Sequence, residues 1–345
     1  MNTDLTLERL PATAKRPVRE QEDVNQSFLS KFAKFIPKEK WFQYTIVWSF
    51  FQLFLIGILE GCIVQIHNDY VQTLEPVGLG ASVPNAKALI VYQILFILAQ
   101  AFQLFLCIDA ITSLSIIQII ATAVFNWALF GYSIMQYIQA SNVTNGTITP
   151  ANFSVHPTKT LEIVVIVLMS IFVCVWSYLA YKLNNLFGWK LYKDLGADVS
   201  MMKSLKLYHI YMMLLKLDIF FFFGFDIQFL VLVLINGRPG TSDALIHICL
   251  IIPSTIAVIT TAFFAILKEN RVLTNLALIG FFAGTIFLIE RLVNVLTNTD
   301  GKYLNSKRSI TFFISLTIAL CTMTFIILVM NSRRYGRGLK EKLNH

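Results

Sequence analysis

Runs of about 20 or more apolar residues recur along this chain of 345 residues, and they limit its fold more than any other feature. A run of that length lets a helix cross about 30 Å of hydrocarbon. Continuous apolar runs are typical of helices, which satisfy their backbone hydrogen bonds internally. Charged residues make up only 14% of the sequence, too few for a soluble surface. The sequence therefore predicts an all-α polytopic membrane helix bundle and excludes soluble enzymes, nucleic-acid-binding proteins and disordered proteins.

Eight segments are long and apolar enough to be predicted as membrane spans. The second and third are nearly contiguous, and we separate them at Asp109, because the combined run is too long for one crossing. A seven-span arrangement, which would move the C-terminus to the opposite side, stays open. The predicted spans are residues 41–66, 88–107, 113–138, 161–182, 209–235, 244–267, 275–297 and 309–330. They divide the chain into a mostly disordered cytosolic tail (1–40), a transmembrane helical domain (41–331) and a basic cytosolic tail (332–345).

The distribution of basic residues predicts that both termini lie in the cytosol. The formal net charge is +8, and membrane proteins enrich lysine and arginine in their cytosolic loops. Lys302, Lys307 and Arg308 depart from this rule, because they fall in the last luminal loop. With eight spans and a cytosolic start, the main basic clusters all fall on the cytosolic side, namely residues 1–40, 182–206, 268–271 and 332–345.

Three N-glycosylation sequons lie in the connection between the third and fourth spans. They begin at Asn142, Asn145 and Asn152, and such acceptors belong to surface loops of the secretory pathway. A cytosolic start places this connection in the lumen, so the two topology signals agree. We therefore predict a glycoprotein with this loop in the lumen.

Several ionisable side chains fall inside the predicted spans, where each costs about 2.5–3.5 kcal/mol on insertion scales and needs a partner or a purpose. Glu60 and Arg291 are predicted to lie at similar depth, and a pair between them would tie the first span to the seventh. Lys216 and Asp218 are predicted to reach the cytosolic interface by snorkelling. A structural ion pair and a luminal cavity for an ion, proton or polar solute both stay open. The candidate intramembrane polar site comprises Glu60, Asp226, His247, Glu290 and Arg291.

Small residues and one proline predict local features of helix packing. Gly57 and Gly61, like Gly280 and Gly284, form G-x-x-x-G patterns that permit close contact between membrane helices. Pro253 lies inside the sixth predicted span, where a proline bends a helix.

The common catalytic signatures are missing from the sequence. It contains no H-E-x-x-H, no G-x-S-x-G and no phosphate-binding loop. Its histidines are scattered and its cysteines lack the spacing of metal ligands. We therefore predict no enzymatic activity, no catalytic residue, no cofactor and no metal site.

The stretch from Trp189 to Phe229 has a distinctive order of residues. It begins Trp189-Lys-Leu-Tyr-Lys-Asp-Leu-Gly196-Ala-Asp198 and later runs Leu-Lys216-Leu-Asp218 into a phenylalanine-rich segment. This stretch resembles the centre of a fungal family of multi-pass Golgi apparatus membrane proteins of uncharacterised function. The resemblance implies a Golgi or related endomembrane location, but it supplies no substrate and no catalytic residue. The candidate motif at the cytoplasmic interface comprises Trp189, Gly196, Asp198, Lys216 and Asp218.

Two functional hypotheses follow. The first is a non-enzymatic membrane protein that acts in Golgi organisation or cargo handling through its loops. The second is a transporter for an ion or small polar solute that uses Glu60, Asp226, Glu290 and Arg291. A water-filled cavity around Asp226 would favour the transporter, and so would internal repeat symmetry, of which the sequence shows no convincing sign.

We expect the protein to lie in the Golgi membrane, with another endomembrane or the plasma membrane as the alternative. The lipid bilayer is the one partner that composition requires, and no nucleic acid is expected. Cytosolic coat or sorting proteins are candidate partners of the basic C-terminal tail. The sequence does not set the oligomeric state.

Overall fold

The computed structural model describes residues 40–74, 82–145, 156–195, 199–235, 245–297 and 307–335. These residues are almost entirely helical and include no strand. Residues 1–39 and 336–345, which hold most of the two predicted tails, lie outside them. The described helices are α1 (Lys40–Leu74), α2 (Ser82–Thr112), α3 (Ile116–Asn145), α4 (His156–Leu195), α5 (Val199–Ile235), α6 (Ile252–Leu267), α7 (Arg271–Thr297) and α8 (Lys307–Ser332).

The prediction of an all-α membrane protein with about eight spans is confirmed. Within the described residues, seven helical segments are long and apolar enough to cross a membrane. The one described helix outside these seven is α5, which is 37 residues long and carries Lys216, Asp218 and Asp226 among its apolar residues. The predicted break at Asp109 is also observed, since α2 ends three residues later at Thr112.

The helices α4 and α5 are longer than the spans predicted for them. The spans were expected at 161–182 and 209–235, whereas α4 continues to Leu195 and α5 already begins at Val199. A helix continues beyond the hydrocarbon without penalty, because its backbone hydrogen bonds do not depend on the lipid. The basic, aromatic segment between the two spans is therefore largely helical.

The eight helices form two halves of four helices each. In the first half, α1 packs against α2 and α4, and α3 packs against the same two helices. In the second half, α5 packs against α6 and α8, and α7 packs against the same two helices. One cluster of buried apolar residues lies within the second half, and the other joins residues of the first half to Met213, Phe221, Phe313 and Leu320 of α5 and α8. The largest buried side chains of the first half include Phe96, Phe172 and Trp176, and those of the second include Tyr211, Phe225 and Phe281.

The second and third helices of the first half are joined by a tight three-residue turn. Leu114 adopts a left-handed backbone with φ of 47°. Its amide donates to the Ile111 carbonyl at 3.4 Å, and the Ser115 amide donates to the Ala110 carbonyl at 3.2 Å. This pair of bonds is the Schellman motif, which satisfies carbonyl groups at the end of a helix.

The same turn recurs at the same place in the second half. Glu269 has φ of 48°, and its amide donates to the Ile266 carbonyl at 3.3 Å. The Asn270 amide donates to the Ala265 carbonyl at 3.0 Å. Both halves therefore share their helix order, their neighbour contacts and this turn. Because the first half has four spans, both halves begin on the same side of the membrane, which is the arrangement of a parallel repeat.

Aromatic side chains fill the junction between the halves. The Phe220 ring of α5 stacks on Phe102 of α2, with ring centroids 4.6 Å apart. On the α8 side, Phe313 meets Tyr132 of α3 at 5.6 Å. Gly224 of α5 is required beside it, because a Cβ at this position would lie 2.9 Å from the Phe313 ring.

Of the two G-x-x-x-G patterns, only the one at Gly280 permits the close helix contact that was predicted. A Cβ on Gly280 would lie 2.5 Å from Val258, so this glycine permits close contact between α6 and α7. Gly57, Gly61 and Gly284 have open space where a Cβ would be. The prediction of close helix contact at Gly57 and Gly61 is wrong, because that side of α1 does not face a neighbouring helix.

Candidate functional site

The structure brings together two residues of the candidate polar site, Asp226 of α5 and His247. Both are buried, and Asp226 Oδ1 lies 3.0 Å from His247 Nε2. A carboxylate only accepts hydrogen bonds, so this geometry assigns the proton to Nε2 of the imidazole. The ring of His247 also packs against Phe229, with centroids 4.5 Å apart. Asp226 and His247 thus form a buried acid–base pair in the second half.

A local change of helix type positions His247. Residues His247–Ile251 form a π-helical turn directly before α6. Pro253 follows at the start of α6 and has no amide hydrogen to donate, which disturbs the regular bonding of the preceding turn. Single π turns in longer helices are frequent at functional sites. The proline that was expected to bend this span therefore accompanies a widened turn.

A cavity of about 390 Å³ opens beside Asp226, between α5, α6 and α7. Its lining is apolar apart from Asp226, Ser254 and Thr255. The hydroxyl groups of Ser254 and Thr255 both donate to the Ile251 carbonyl, at 2.8 and 3.0 Å. Asp226 Oδ2 has no hydrogen-bond partner among the described residues. The cavity therefore presents one acidic group with a vacant acceptor inside an apolar wall.

Asp226 also lines a second, smaller cavity. It has a volume of about 200 Å³ and shares Phe222 and Thr255 with the first. Ile219, Phe223 and Ile256, which are exposed on the outer surface, contribute to its wall. The larger cavity also has exposed residues in its wall, among them Leu250 and Ser254, so the carboxyl group lies between two cavities that both reach the outer surface of the bundle.

Two aromatic rings lie between Arg291 of α7 and the Asp226 site. Its guanidinium group is 5.1 Å from the ring centroids of both Phe229 and Phe287. Phe287 lines the larger cavity and Phe229 packs on His247. Glu290 is mostly exposed and lies 3.8 Å from Arg291, a weak contact. Arg291 therefore contributes positive charge at the edge of the site.

The predicted pair between Glu60 and Arg291 is wrong. Glu60 lies in the first half, where Gln136 Nε2 donates to its carboxylate at 2.9 Å. Arg291 lies in the second half, and its neighbours are Glu290 and two aromatic rings. Depth along the membrane can be estimated from the sequence, but which helices are neighbours cannot.

The charged residues of the interface motif behave differently from one another. Lys216 donates to the Asp109 carboxylate, which joins α5 to the last turn of α2 and leaves both side chains partly exposed. Asp218 was expected to snorkel, but it is fully buried and accepts from Thr324 Oγ1 at 2.5 Å. The snorkelling prediction fails for Asp218 because α8 covers this face of α5.

Six other predicted residues cannot be compared with the described structure. Trp189 lies on α4, and Asn142 and Asn145 lie in the last turn of α3, but their side chains are outside the described parts. Gly196, Asp198 and Asn152 lie outside the described residues altogether. Use of the sequons stays a prediction.

The sequence analysis missed a network of neutral polar side chains in the first half. Gln52 Nε2 donates to Gln100 Oε1 and to Asn126 Oδ1, both at 2.9 Å. Trp176 Nε1 donates to Gln52 Oε1 at 2.7 Å, which links all four helices of this half. The spacing of Thr45, Ser49, Gln52, Glu60 and His67 along α1 was the available signal, because steps of three, four, seven or eight residues keep one helix face.

A comparison with known proteins finds one relative that matches most of the chain. The chain is 28% identical, over 336 aligned positions, to the UPF0658 Golgi apparatus membrane protein of Schizosaccharomyces pombe. The match covers 90% of this chain and 91% of the relative. The chain is similar over almost its whole length to this fungal Golgi membrane protein. The predicted family resemblance and Golgi membrane location are thereby confirmed.

The other comparisons add no activity to this Golgi membrane protein. No family model matches the chain, and no solved structure matches it. The name of the fungal relative states a location and no substrate. The function of the Asp226 site therefore has to be inferred from its geometry.

Proposed function

We propose that this Golgi membrane protein binds a small amphipathic solute in the cavity beside Asp226 and moves it within or across the membrane. One observation carries the proposal: a buried carboxylate with a vacant oxygen faces a cavity whose walls are otherwise apolar. An ionisable group inside a membrane domain is costly, and such groups commonly mark solute or ion pathways.

The cavity indicates the chemistry of the solute. Its volume of about 390 Å³ lies within the usual range of small-molecule sites. The apolar wall would take up the apolar part of the ligand. The vacant acceptor at Asp226 would take a hydrogen-bond donor, and a cationic amine satisfies it best because the bond is then charge-assisted. We therefore expect an amine with an apolar body.

The repeated architecture supports movement of the ligand in addition to binding. Parallel repeats related by an axis along the membrane normal occur in transporters, where the halves rock against each other around a central site. The two halves of this chain share their helix order and turn geometry. The Asp226 cavity lies inside the second half and not between the halves, so this support is an analogy between folds and is weaker than that from the cavity.

We propose that the site acts without covalent catalysis. Nucleophilic catalysis needs a hydroxyl or thiol within hydrogen-bond reach of a base. The two hydroxyl groups of the cavity donate to the Ile251 carbonyl, and His247 Nε2 is bonded to Asp226. The described part of the cavity therefore offers no activated nucleophile to the imidazole.

The hypothesis of Golgi organisation or cargo handling retains one supporting feature. The α4 and α5 helices continue beyond their predicted spans and bring helical surface to the cytosolic side. Candidate contacts of coat or sorting proteins with the basic tail fall after residue 335, outside the described residues. This hypothesis would gain support if the cavity bound no ligand.

Ligand-dependent thermal unfolding of the full chain in lipid nanodiscs tests the transporter proposal. The probes are a phenylalkyl amine and the alcohol of the same carbon skeleton, added to the parent protein and to Asp226→Asn. A ligand at 100 times its Kd stabilises by about 2.7 kcal/mol, which is a measurable rise in Tm. We expect the amine to raise the Tm of the parent more than the alcohol does.

The control variant is Glu290→Gln, which removes a carboxylate that is mostly exposed. It should respond to the amine as the parent does, whereas Asp226→Asn should lose the preference for the amine. An equal response of Asp226→Asn and the parent would show that the amine does not bind at this carboxylate.

A further inference from the structure

The larger cavity beside Asp226 is open on one side, between the α6 segment and α7. Three residues of its wall are exposed on the outer surface of the bundle, namely Leu250 and Ser254 on one side of the opening and Ala283 of α7 on the other. The hydroxyl group of Ser254 already donates to the Ile251 carbonyl at 2.8 Å, so the rim of the opening presents apolar groups. A ligand bound at Asp226 would therefore meet apolar surface on its way out of the cavity.

Two glycines of α7 show where the opening begins. Gly280 and Gly284 both line the cavity and lie about one helical turn apart. A Cβ at Gly280 would lie 2.5 Å from Val258 of α6, whereas a Cβ at Gly284 would meet nothing within 4 Å. The two helices therefore touch at Gly280 and have separated one turn later, which leaves room beside Gly284. Close helix packing explains the glycine at position 280 but gives no reason for the one at position 284.

The opening lies near the middle of the span. Gly284 is the central residue of α7, a helix of 27 residues that is long and apolar enough to cross a membrane. At a rise of about 1.5 Å per residue, each end of this helix is about 20 Å away. Half of the hydrocarbon layer is about 15 Å thick, so acyl chains rather than headgroups or water adjoin this position. A ligand that extends out of the opening therefore enters hydrocarbon.

We propose that the ligand of this site is a single-chain lipid amine, with its amine at Asp226 and its alkyl chain leaving the cavity past Gly284 into the bilayer. This inference rests on the function proposed above and specifies the class of ligand. His247 Nε2 donates to Asp226 Oδ1, which leaves Oδ2 for the amine. The alkyl chain needs no end wall, because it continues into lipid. Gly284 then determines specificity, since a side chain there would occupy the path of the alkyl chain.

Thermal unfolding of the full chain in lipid nanodiscs with dodecylamine tests this path. The variant is Gly284→Leu, whose side chain would fill the opening, and the matched control is Gly57→Leu in the first half. A Cβ has open space at both positions, so neither variant should be strained. A single methylene group too many in an apolar pocket costs about tenfold or more in binding. We expect Gly284→Leu to need at least about ten times more dodecylamine for the same rise in Tm, and Gly57→Leu to respond as the parent does.

A second probe needs no variant. It is dodecylamine that carries a pyrene group on the end of the chain opposite the amine. Because this end would lie outside the cavity, we expect both amines to raise the Tm of the parent at similar concentrations. If only the unmodified amine stabilised the parent, the whole chain would lie inside the cavity and the inference would be overturned.

The outcomes also separate this inference from the proposed function. Gly284→Leu and Gly57→Leu might respond equally to dodecylamine while Asp226→Asn still loses the preference for the phenylalkyl amine. That result would overturn the lipid ligand and retain the Asp226 site, as would a parent stabilised by the phenylalkyl amine but not by dodecylamine. A parent that shows no preference for an amine over its alcohol would refute both.

Discussion

The two halves of this protein share one arrangement of four helices and differ in what they bury. The first half encloses amide and indole groups that bond to one another around Gln52. The second half encloses the Asp226–His247 pair beside a cavity of about 390 Å³. The same backbone plan thus supports a bonded network around Gln52 in one half and a vacant acceptor beside a cavity in the other.

The strongest test of this contrast removes the centre of the first network. Gln52→Leu leaves Gln100 Oε1, Asn126 Oδ1 and Trp176 Nε1 without a partner, and a buried polar group that loses its bond costs about 1–3 kcal/mol. Hydrogen bonds in membrane proteins are often weak, so each of the three groups is taken at the lower end of that range, about 1 kcal/mol. We therefore expect a total loss of about 3 kcal/mol. Denaturant unfolding in detergent measures it. An unchanged stability would mean that the network is not structural.

The next largest effect is expected at the close contact of the second half. In Gly280→Ala the new methyl group meets Val258 at 2.5 Å, and overpacking of this kind costs about 1–3 kcal/mol. The matched change in the first half is Gly57→Ala, where the Cβ meets open space and stability should change by no more than about 0.5 kcal/mol. Equal losses in the two variants would contradict the difference in helix contact.

A smaller effect of opposite sign is expected at Asp226. Asp226→Asn keeps an oxygen for the His247 bond and removes a charge from an apolar site. Residues kept for function often reduce stability, so we expect a gain of about 1 kcal/mol, seen as a higher Tm. A loss of about 3–5 kcal/mol would instead identify a structural ion pair with His247 and count against the proposed binding site.

The smallest effect is expected at the ion pair that joins the halves. Lys216 and Asp109 are both partly exposed, and exposed pairs contribute about 0–1 kcal/mol. Lys216→Met and Asp109→Asn should each lower stability by less than about 1 kcal/mol, and the double variant by less than the sum. A double-mutant cycle measures the coupling. Strict additivity would show that the pair contributes nothing to the junction.

The sequence was sufficient for the number of spans and for the break at Asp109, because both depend on hydropathy along the chain. It was insufficient for the neighbours of each span. Glu60 and Arg291 were correctly seen as intramembrane charges, yet they lie in different halves. The direction in which a residue faces depends on tertiary packing, which one sequence does not record.

The candidate site was partly visible in the sequence. Asp226 and His247 stood out as ionisable residues in apolar segments, but their contact depends on the π turn before Pro253. The Gln52 network was missed because neutral amides barely change the hydropathy of a span. The similarity of the two halves was not visible in the sequence because they share the backbone of a turn and not its residues. The left-handed position of the turn is Leu114 in one half and Glu269 in the other.

The two Schellman turns have a consequence for how the chain is made. Three residues reach about 10 Å at most, so the two helix ends that each turn joins stay side by side. We therefore expect the second and third helices of each half to insert as one hairpin. Chains truncated after Thr112 or after Leu267 would each present a helix without its expected partner, and the unit of insertion at these two points would be the pair of helices.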